Sequence, residues 1–166
     1  MSELYQVVSH LGLGGSNGYY VYGSSWGTCL AQEFAVTQPS GLRGLVLDGA
    51  LCDGQVYITT QWRDRLSRMP TYTQKLLKEL EDRKDYSSAA YQEMDSVLST
   101  HFTSRLVPRP ACFTDCLEQA NVKIYTAVQG HSEFTLGGVL EHWSITERNS
   151  SIRVPTIVIM GEYDTM

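Results

Sequence analysis

The sequence predicts an α/β fold in which a parallel sheet is interrupted by one long helical insertion. Three observations indicate this fold. Two short apolar runs within residues 1–50 each follow a helix-like segment, and a third apolar run lies near the end of the chain. The stretch between them is polar and compatible with helices. The 166 residues are enough for a hydrophobic core.

The first part of the chain alternates helix and strand. Residues 3–13 carry apolar side chains at helical spacing, and a glycine-rich loop then leads to a predicted strand at Tyr19–Tyr22. The next helical pattern ends before Pro39, since the residue that precedes a proline disfavours helix. A second strand is predicted around Leu45–Leu47.

The middle of the chain is predicted to be a helical insertion, because its polar-rich segments contain no good strand. A third strand is predicted at Thr156–Met160, closed by Gly161. We therefore predict an α/β core formed by residues 1–54 and 144–166, and a helical cap formed by residues 55–143.

Charge and composition argue against several classes of function. The net charge of −5 argues against nucleic acid as a partner, and no apolar run of about 18 residues predicts a membrane span. The N-terminus lacks the basic and apolar regions of a signal peptide, so we expect a cytoplasmic protein. The four cysteines form no C-x-x-C pair, and we expect free or buried thiols, with no metal and no organic cofactor. The oligomeric state stays open.

The segment Gly23-Ser24-Ser25-Trp26-Gly27 fits the pattern G-x-S-x-G between a predicted strand and a predicted helix. In such an elbow the central serine, here Ser25, is held in a strained turn above the sheet, and both flanking positions are expected to be small. The Trp26 backbone N–H, at the start of the helix, would be one oxyanion donor. The alternative is an ordinary glycine-rich turn.

Asp164 follows the third predicted strand and a glycine, at the end of the sheet where α/β proteins place their sites. In chains built around this elbow, the acid of the triad follows the serine and the histidine comes last. The four histidines, His10, His101, His131 and His142, all precede Asp164. We expect none of them to be the base.

Further segments extend this pattern along the chain. The elbow is followed by "LAQEFA" and by a Pro-x-Gly-Leu stretch that leads into the second strand. Later come a Gly-x-x-Glu-Phe segment at Gly130–Phe134, a Gly-x-Leu-x-x-Trp segment at Gly138–Trp143 and a Gly-Glu-Tyr-Asp segment at Gly161–Asp164. In this order and spacing, the chain resembles the proline iminopeptidase family of α/β-hydrolases.

The resemblance implies a partial α/β-hydrolase fold of about three strands with a helical cap, and a serine aminopeptidase that releases N-terminal proline or a similar residue from peptides. Ser25 would be the nucleophile and Asp164 the acid. In this family, cap glutamates bind the free α-amino group of the substrate, and Glu133 stands at such a position. The second amine-binding glutamate has no clear equivalent. Either Glu133 acts alone, or another acid such as Glu93 helps, or the substrate preference differs.

Three departures from the family pattern matter. Thr28 replaces a glycine after the elbow, and neither the His-Gly-Gly-Pro-Gly segment nor the C-terminal histidine is found in the sequence. We therefore expect an internal part of a larger enzyme, inactive by itself and marginally stable because its outer strands would have uncovered apolar faces. Two alternatives stay open: a non-catalytic hydrolase-fold protein that binds a peptide or partner, and a related serine esterase.

Overall fold

The computed structural model describes residues 2–104, 106–162 and 164. Their contacts separate two compact units, one formed by residues 2–57, 142–162 and 164, and the other by residues 58–104 and 106–141. The first unit contains the sheet, and the second contains helices. That the second unit acts as a cap over a site stays a prediction.

The described α-helices lie in both units. They are α1 (Ser2–His10), α2 (Trp26–Val36), α3 (Gly54–Thr60), α4 (Thr71–Asp82), α5 (Ala89–Leu98), α6 (Ala111–Glu118) and α7 (Val122–Val128). Short π-helical turns cover Gln61–Arg65 and Ser99–Thr103, and 3₁₀ turns cover Leu66–Arg68, Val139–His142 and Asn149–Ser151. No helix in the described part of the chain is long and apolar enough to span a membrane.

The sheet has three parallel strands in the order β1 (Tyr19–Ser24), β2 (Leu42–Asp48) and β3 (Thr156–Ile159). The predicted strands and their parallel arrangement are therefore confirmed. β1 extends beyond the predicted Tyr22 to Ser24, and β2 extends beyond the predicted Leu45–Leu47 in both directions. α1 ends at His10, earlier than the apolar stripe predicted, because Gly12 takes the left-handed conformation (φ 64°) that commonly ends helices.

The core of the first unit lies on one side of the sheet. α2 presents an apolar face to β1 and β2, and apolar residues of α1 pack against the same cluster. Burial of this cluster stabilises the unit through removal of apolar surface from water. Its buried members are Tyr19, Ala31, Phe34, Ala35, Leu42, Leu45 and Leu47.

Apolar side chains of the sheet are also exposed, as predicted for the outer strands. Tyr20 and Tyr22 on β1 are 75% and 63% exposed. On β3, Ile157 and Val158 point to opposite faces, yet they are 60% and 57% exposed. β3 therefore has solvent on both faces in the described structure. The predicted marginal stability of the chain stays a prediction.

The second unit has its own core, in which α4 and α5 pack against the segment that contains Phe134. N-cap side chains stabilise the starts of α5 and α7. The Ser88 hydroxyl accepts a hydrogen bond from the Tyr91 N–H, and the Asn121 side chain accepts one from the Ile124 N–H. The buried members of this core are Leu66, Leu77, Leu80, Tyr91, Met94, Leu98 and Phe134.

Candidate active site

Ser25 lies between the last residue of β1 and the first residue of α2, in a backbone conformation that serine rarely adopts. Its φ is 49° and its ψ is −122°, and its hydroxyl does not cap the helix. A non-glycine residue at positive φ costs on the order of 1–3 kcal/mol, and such strain is concentrated at functional sites. Ser25 is exposed. The turn thus holds an accessible serine at the carboxyl end of β1.

The two glycines of the elbow have different roles. A Cβ on Gly23 would lie 2.3 Å from the Gly27 carbonyl oxygen and 2.9 Å from the Thr28 nitrogen, so only glycine fits where β1 meets α2. A Cβ on Gly27 would have nothing within 4 Å. The expectation that Gly27 must be small is therefore wrong, because the close approach takes place on the Gly23 side.

Asp48, the last residue of β2, joins the elbow to the neighbouring strand. Its carbonyl oxygen accepts from the Ser25 N–H at 2.9 Å, and its carboxylate accepts from the Tyr22 hydroxyl at 2.8 Å. The hydrogen bond to Asp48 raises the pKa of Tyr22. The backbone hydrogen bond joins the strained turn to the end of β2, and the side-chain hydrogen bond joins β1 to β2.

Asp164 is partly buried, and its N–H donates to the Gly161 carbonyl at 3.0 Å. Ser25 and Asp164 follow β1 and β3, which lie on either side of β2, so both come from the same end of the sheet. With strands about 4.8 Å apart, the axes of β1 and β3 are separated by about 10 Å.

Glu133 lies on a tightly folded segment of the second unit. Its neighbours Ser132 and Phe134 are buried, and the Ser132 hydroxyl accepts from the Phe134 N–H at 3.1 Å. Gly130, with φ 105°, allows the chain to return so closely that a Cβ there would lie 2.7 Å from the Gly137 nitrogen. The Glu133 carboxylate accepts from the Tyr125 hydroxyl at 2.6 Å. The local fold therefore holds a partly buried carboxylate in one orientation.

Two more carboxylates lie near Glu133 in the same unit. Glu81 on α4 accepts from the hydroxyls of Tyr91 at 2.7 Å and Thr135 at 2.8 Å. Asp95 on α5 interacts electrostatically with both Glu133 and Glu81. Its pKa is raised by burial first, and then by repulsion from these two carboxylates. This part of the second unit therefore carries a negative potential that would favour a bound cation.

Comparison with known proteins places these features in context. No family model matches the chain. The proline iminopeptidase of Flavobacterium johnsoniae is 32% identical over 152 residues, which cover 89% of this chain and 50% of that protein. The proline iminopeptidase of Chitinophaga pinensis is 28% identical over an alignment that covers all of this chain and 56% of that protein. The chain spans about half the length of the curated relatives it matches.

Solved structures agree with the sequence comparison. A proline iminopeptidase of Mycobacterium smegmatis is 30% identical, with a TM-score of 0.80, over 98% of this chain and 54% of that one. The chain is related to the proline iminopeptidases. The crystal structure of VinJ is similar as well, with 28% identity and a TM-score of 0.86 over 98% of this chain and 55% of VinJ. Together with the three parallel strands, these likenesses establish a partial α/β-hydrolase fold.

Thr28, which departs from the proline iminopeptidase pattern noted in the sequence, has a structural role here. It is fully buried, and its hydroxyl donates to the Ser25 carbonyl at 2.7 Å. The same hydroxyl accepts from the Leu51 N–H at 3.1 Å. Thr28 thus connects the elbow to the loop that follows β2, which a glycine at this position could not do.

Other groups that could act as a nucleophile or a base have the following surroundings in the described part of the chain. Cys29 lies in the first turn of α2, four residues after Ser25. Burial raises the pKa of its thiol to about 12, so the thiol stays protonated at neutral pH and is a poor nucleophile. Cys29 and the other cysteines are free. His131 stacks on Tyr86, with ring centroids 4.1 Å apart. His10 ends α1, and His101 lies in a π-helical turn.

Sequence reasoning did not find four supporting residues: Thr28 and Asp48, which bond to the Ser25 turn or its strand in the first unit, and Asp95 and Tyr125, which interact with Glu133 in the second. An acid at the end of a strand is a usable signal, and Asp48 could have been found on that basis. Glu93, considered above as a second amine-binding acid, lines a cavity between α4 and α5. Asp95 is the acid of α5 that interacts with Glu133.

Replacement of Asp95 by asparagine is expected to stabilise the protein at neutral pH. A carboxyl whose pKa is raised by folding favours the folded state while it is protonated, and that contribution is lost as the pH rises through the folded-state pKa. Asparagine removes the charge of this partly buried side chain. The free energy of unfolding should increase at pH 7 and stay unchanged well below the ordinary pKa of 3.8. Urea unfolding followed by circular dichroism measures both values.

The control for this variant is Asp115→Asn, which removes an exposed carboxylate of α6. It should change the unfolding free energy little at either pH. An equal increase in the unfolding free energy of Asp95→Asn at both pH values would show that the effect does not come from the charge of the carboxylate.

Proposed function

We propose that the protein carrying this chain is a serine aminopeptidase that releases N-terminal proline, or a similar residue, from peptides. The observation that carries the proposal is the strained, exposed Ser25 at the junction of β1 and α2. The names of the relatives from Flavobacterium johnsoniae and Chitinophaga pinensis support the substrate class. The free cysteines support a reducing, cytoplasmic location.

In this proposal the Ser25 Oγ attacks the carbonyl carbon of the N-terminal residue, while a histidine takes the hydroxyl proton. The developing oxyanion accepts hydrogen bonds from backbone N–H groups, of which Trp26 at the start of α2 supplies one. The histidine then protonates the leaving amine, and water releases the acyl group from Ser25. Asp164 would orient that histidine and stabilise its cation. The base is not assigned to any of the four histidines in the sequence.

Glu133 would bind the cationic amino terminus of the peptide. A carboxylate that is partly buried and held by the Tyr125 hydroxyl is organised for an ammonium group without further rearrangement. The Asp95 carboxylate adds to the negative potential around it. An aminopeptidase requires such a group, whereas an esterase has no amine to bind.

The test compares two substrates in the Glu133→Gln variant of the natural protein. We expect kcat/KM for a proline arylamide to fall by about 30- to 100-fold, since a hydrogen bond to a charged group is worth about 2–3 kcal/mol. Turnover of a simple ester without an amino group should change little. The Glu118→Gln variant, at an exposed carboxylate of α6, serves as the control and should leave both rates unchanged.

Equal losses on the arylamide and the ester would contradict the assignment of Glu133 to the amine. No arylamide turnover by the unmodified natural protein would reject the aminopeptidase proposal itself.

A further inference from the structure

The second unit has a cavity of about 330 Å³ between α4 and α5. Residues from two turns of each helix line it, together with Met69 just before α4. Thr73 is a polar residue of its lining and Glu93 is a charged one. Its apolar lining consists of Met69, Tyr72, Leu76, Ala90, Met94 and Val97.

The lining changes in character from floor to rim. Met94 belongs to the buried core and is 8% exposed, whereas Tyr72 is 76% exposed. Glu93 is also exposed, one residue before Met94 on α5. The cavity thus has an apolar floor with an adaptable thioether, and a rim that carries an aromatic ring and one negative charge.

This combination selects for a particular kind of ligand. The volume lies at the lower end of the range of pockets that hold small molecules. An apolar body can occupy the floor, while a positive group at its end meets the Glu93 carboxylate and the face of the Tyr72 ring. Glu93 would repel a ligand that carries a carboxylate, and a neutral ligand would lack the attraction between opposite charges.

We propose that the α4–α5 cavity binds a small hydrophobic ammonium ion, with its apolar group on Met94 and its ammonium group at Glu93. This site is separate from Glu133, which lies on the Gly130–Gly137 segment. The proposal does not depend on the aminopeptidase activity, and a failure of either leaves the other standing.

The probe is 2-phenylethylammonium chloride, titrated into the protein and followed by backbone amide NMR. Saturable shifts are expected in residues 69–76 and 90–97. The neutral analogue 2-phenylethanol should bind about fivefold to tenfold more weakly, since it lacks the charge-assisted contact. The Glu93→Gln variant should lower the affinity for the ammonium ion to that for the alcohol.

Two further variants complete the test. Glu118→Gln removes the same charge from α6 and should leave the affinity unchanged, which separates a local contact from the general attraction of a negative protein for cations. Ala90→Trp should fill the cavity and abolish binding of both probes. The proposal is overturned if no saturable shifts occur in the two segments, if both probes bind equally, or if Glu93→Gln has no effect.

Discussion

The Ser25→Ala variant of the natural protein is expected to lose proline arylamidase activity by a factor of at least about 10³. Ser25 holds the strained conformation at the elbow, and in the proposed mechanism its hydroxyl is the nucleophile, which alanine removes while the backbone can stay as it is. Turnover of the arylamide and labelling by a fluorophosphonate probe measure the loss in independent ways.

The matched control is Ser24→Ala, one residue earlier. Ser24 is exposed and ends β1 with ordinary strand pairing to Asp48, so its loss should change kcat by less than about threefold. If the two serine variants lost activity equally, or if Ser25→Ala remained active, Ser25 would not be the nucleophile.

The Gly23→Ala variant is expected to destabilise the first unit by about 3 kcal/mol. The added Cβ would lie 2.3 Å from the Gly27 oxygen, 2.6 Å from the Gly27 carbonyl carbon and 2.9 Å from the Thr28 nitrogen. All three are backbone atoms, so no side chain can rotate away, and the start of α2 must move. Urea unfolding monitored by tryptophan fluorescence measures the effect, since Trp26 and Trp143 both belong to this unit.

Gly27→Ala provides the comparison on the other side of the same elbow. Its Cβ meets nothing within 4 Å, and the residue lies in the first turn of α2. Alanine should therefore leave the stability unchanged or raise it by up to about 1 kcal/mol. Similar losses from both glycine variants would show that the turn tolerates no side chain at either position, contrary to the geometry described.

The sequence alone determined the order of elements and the candidate nucleophile. Apolar runs bounded by glycine and polar residues located β1, β2 and β3, because strands of parallel sheets typically are near-continuous apolar stretches. The Gly-x-Ser-x-Gly segment located the elbow, because the close approach of β1 to α2 leaves no room for a side chain at Gly23. These are local requirements, and they are visible within a few residues.

Only the tertiary structure decided which side chains support those groups. Tyr125 bonds to Glu133 across eight residues, Thr135 bonds to Glu81 across 54, and Asp48 accepts from Tyr22 on the neighbouring strand. Nor could the sequence distinguish Asp95 from Glu93, two residues apart on α5. In a helix such residues point in nearly opposite directions, so one interacts with Glu133 and the other lines the α4–α5 cavity. Pairing between distant segments follows from how helices and strands pack together, and that information is not contained in any short stretch of chain.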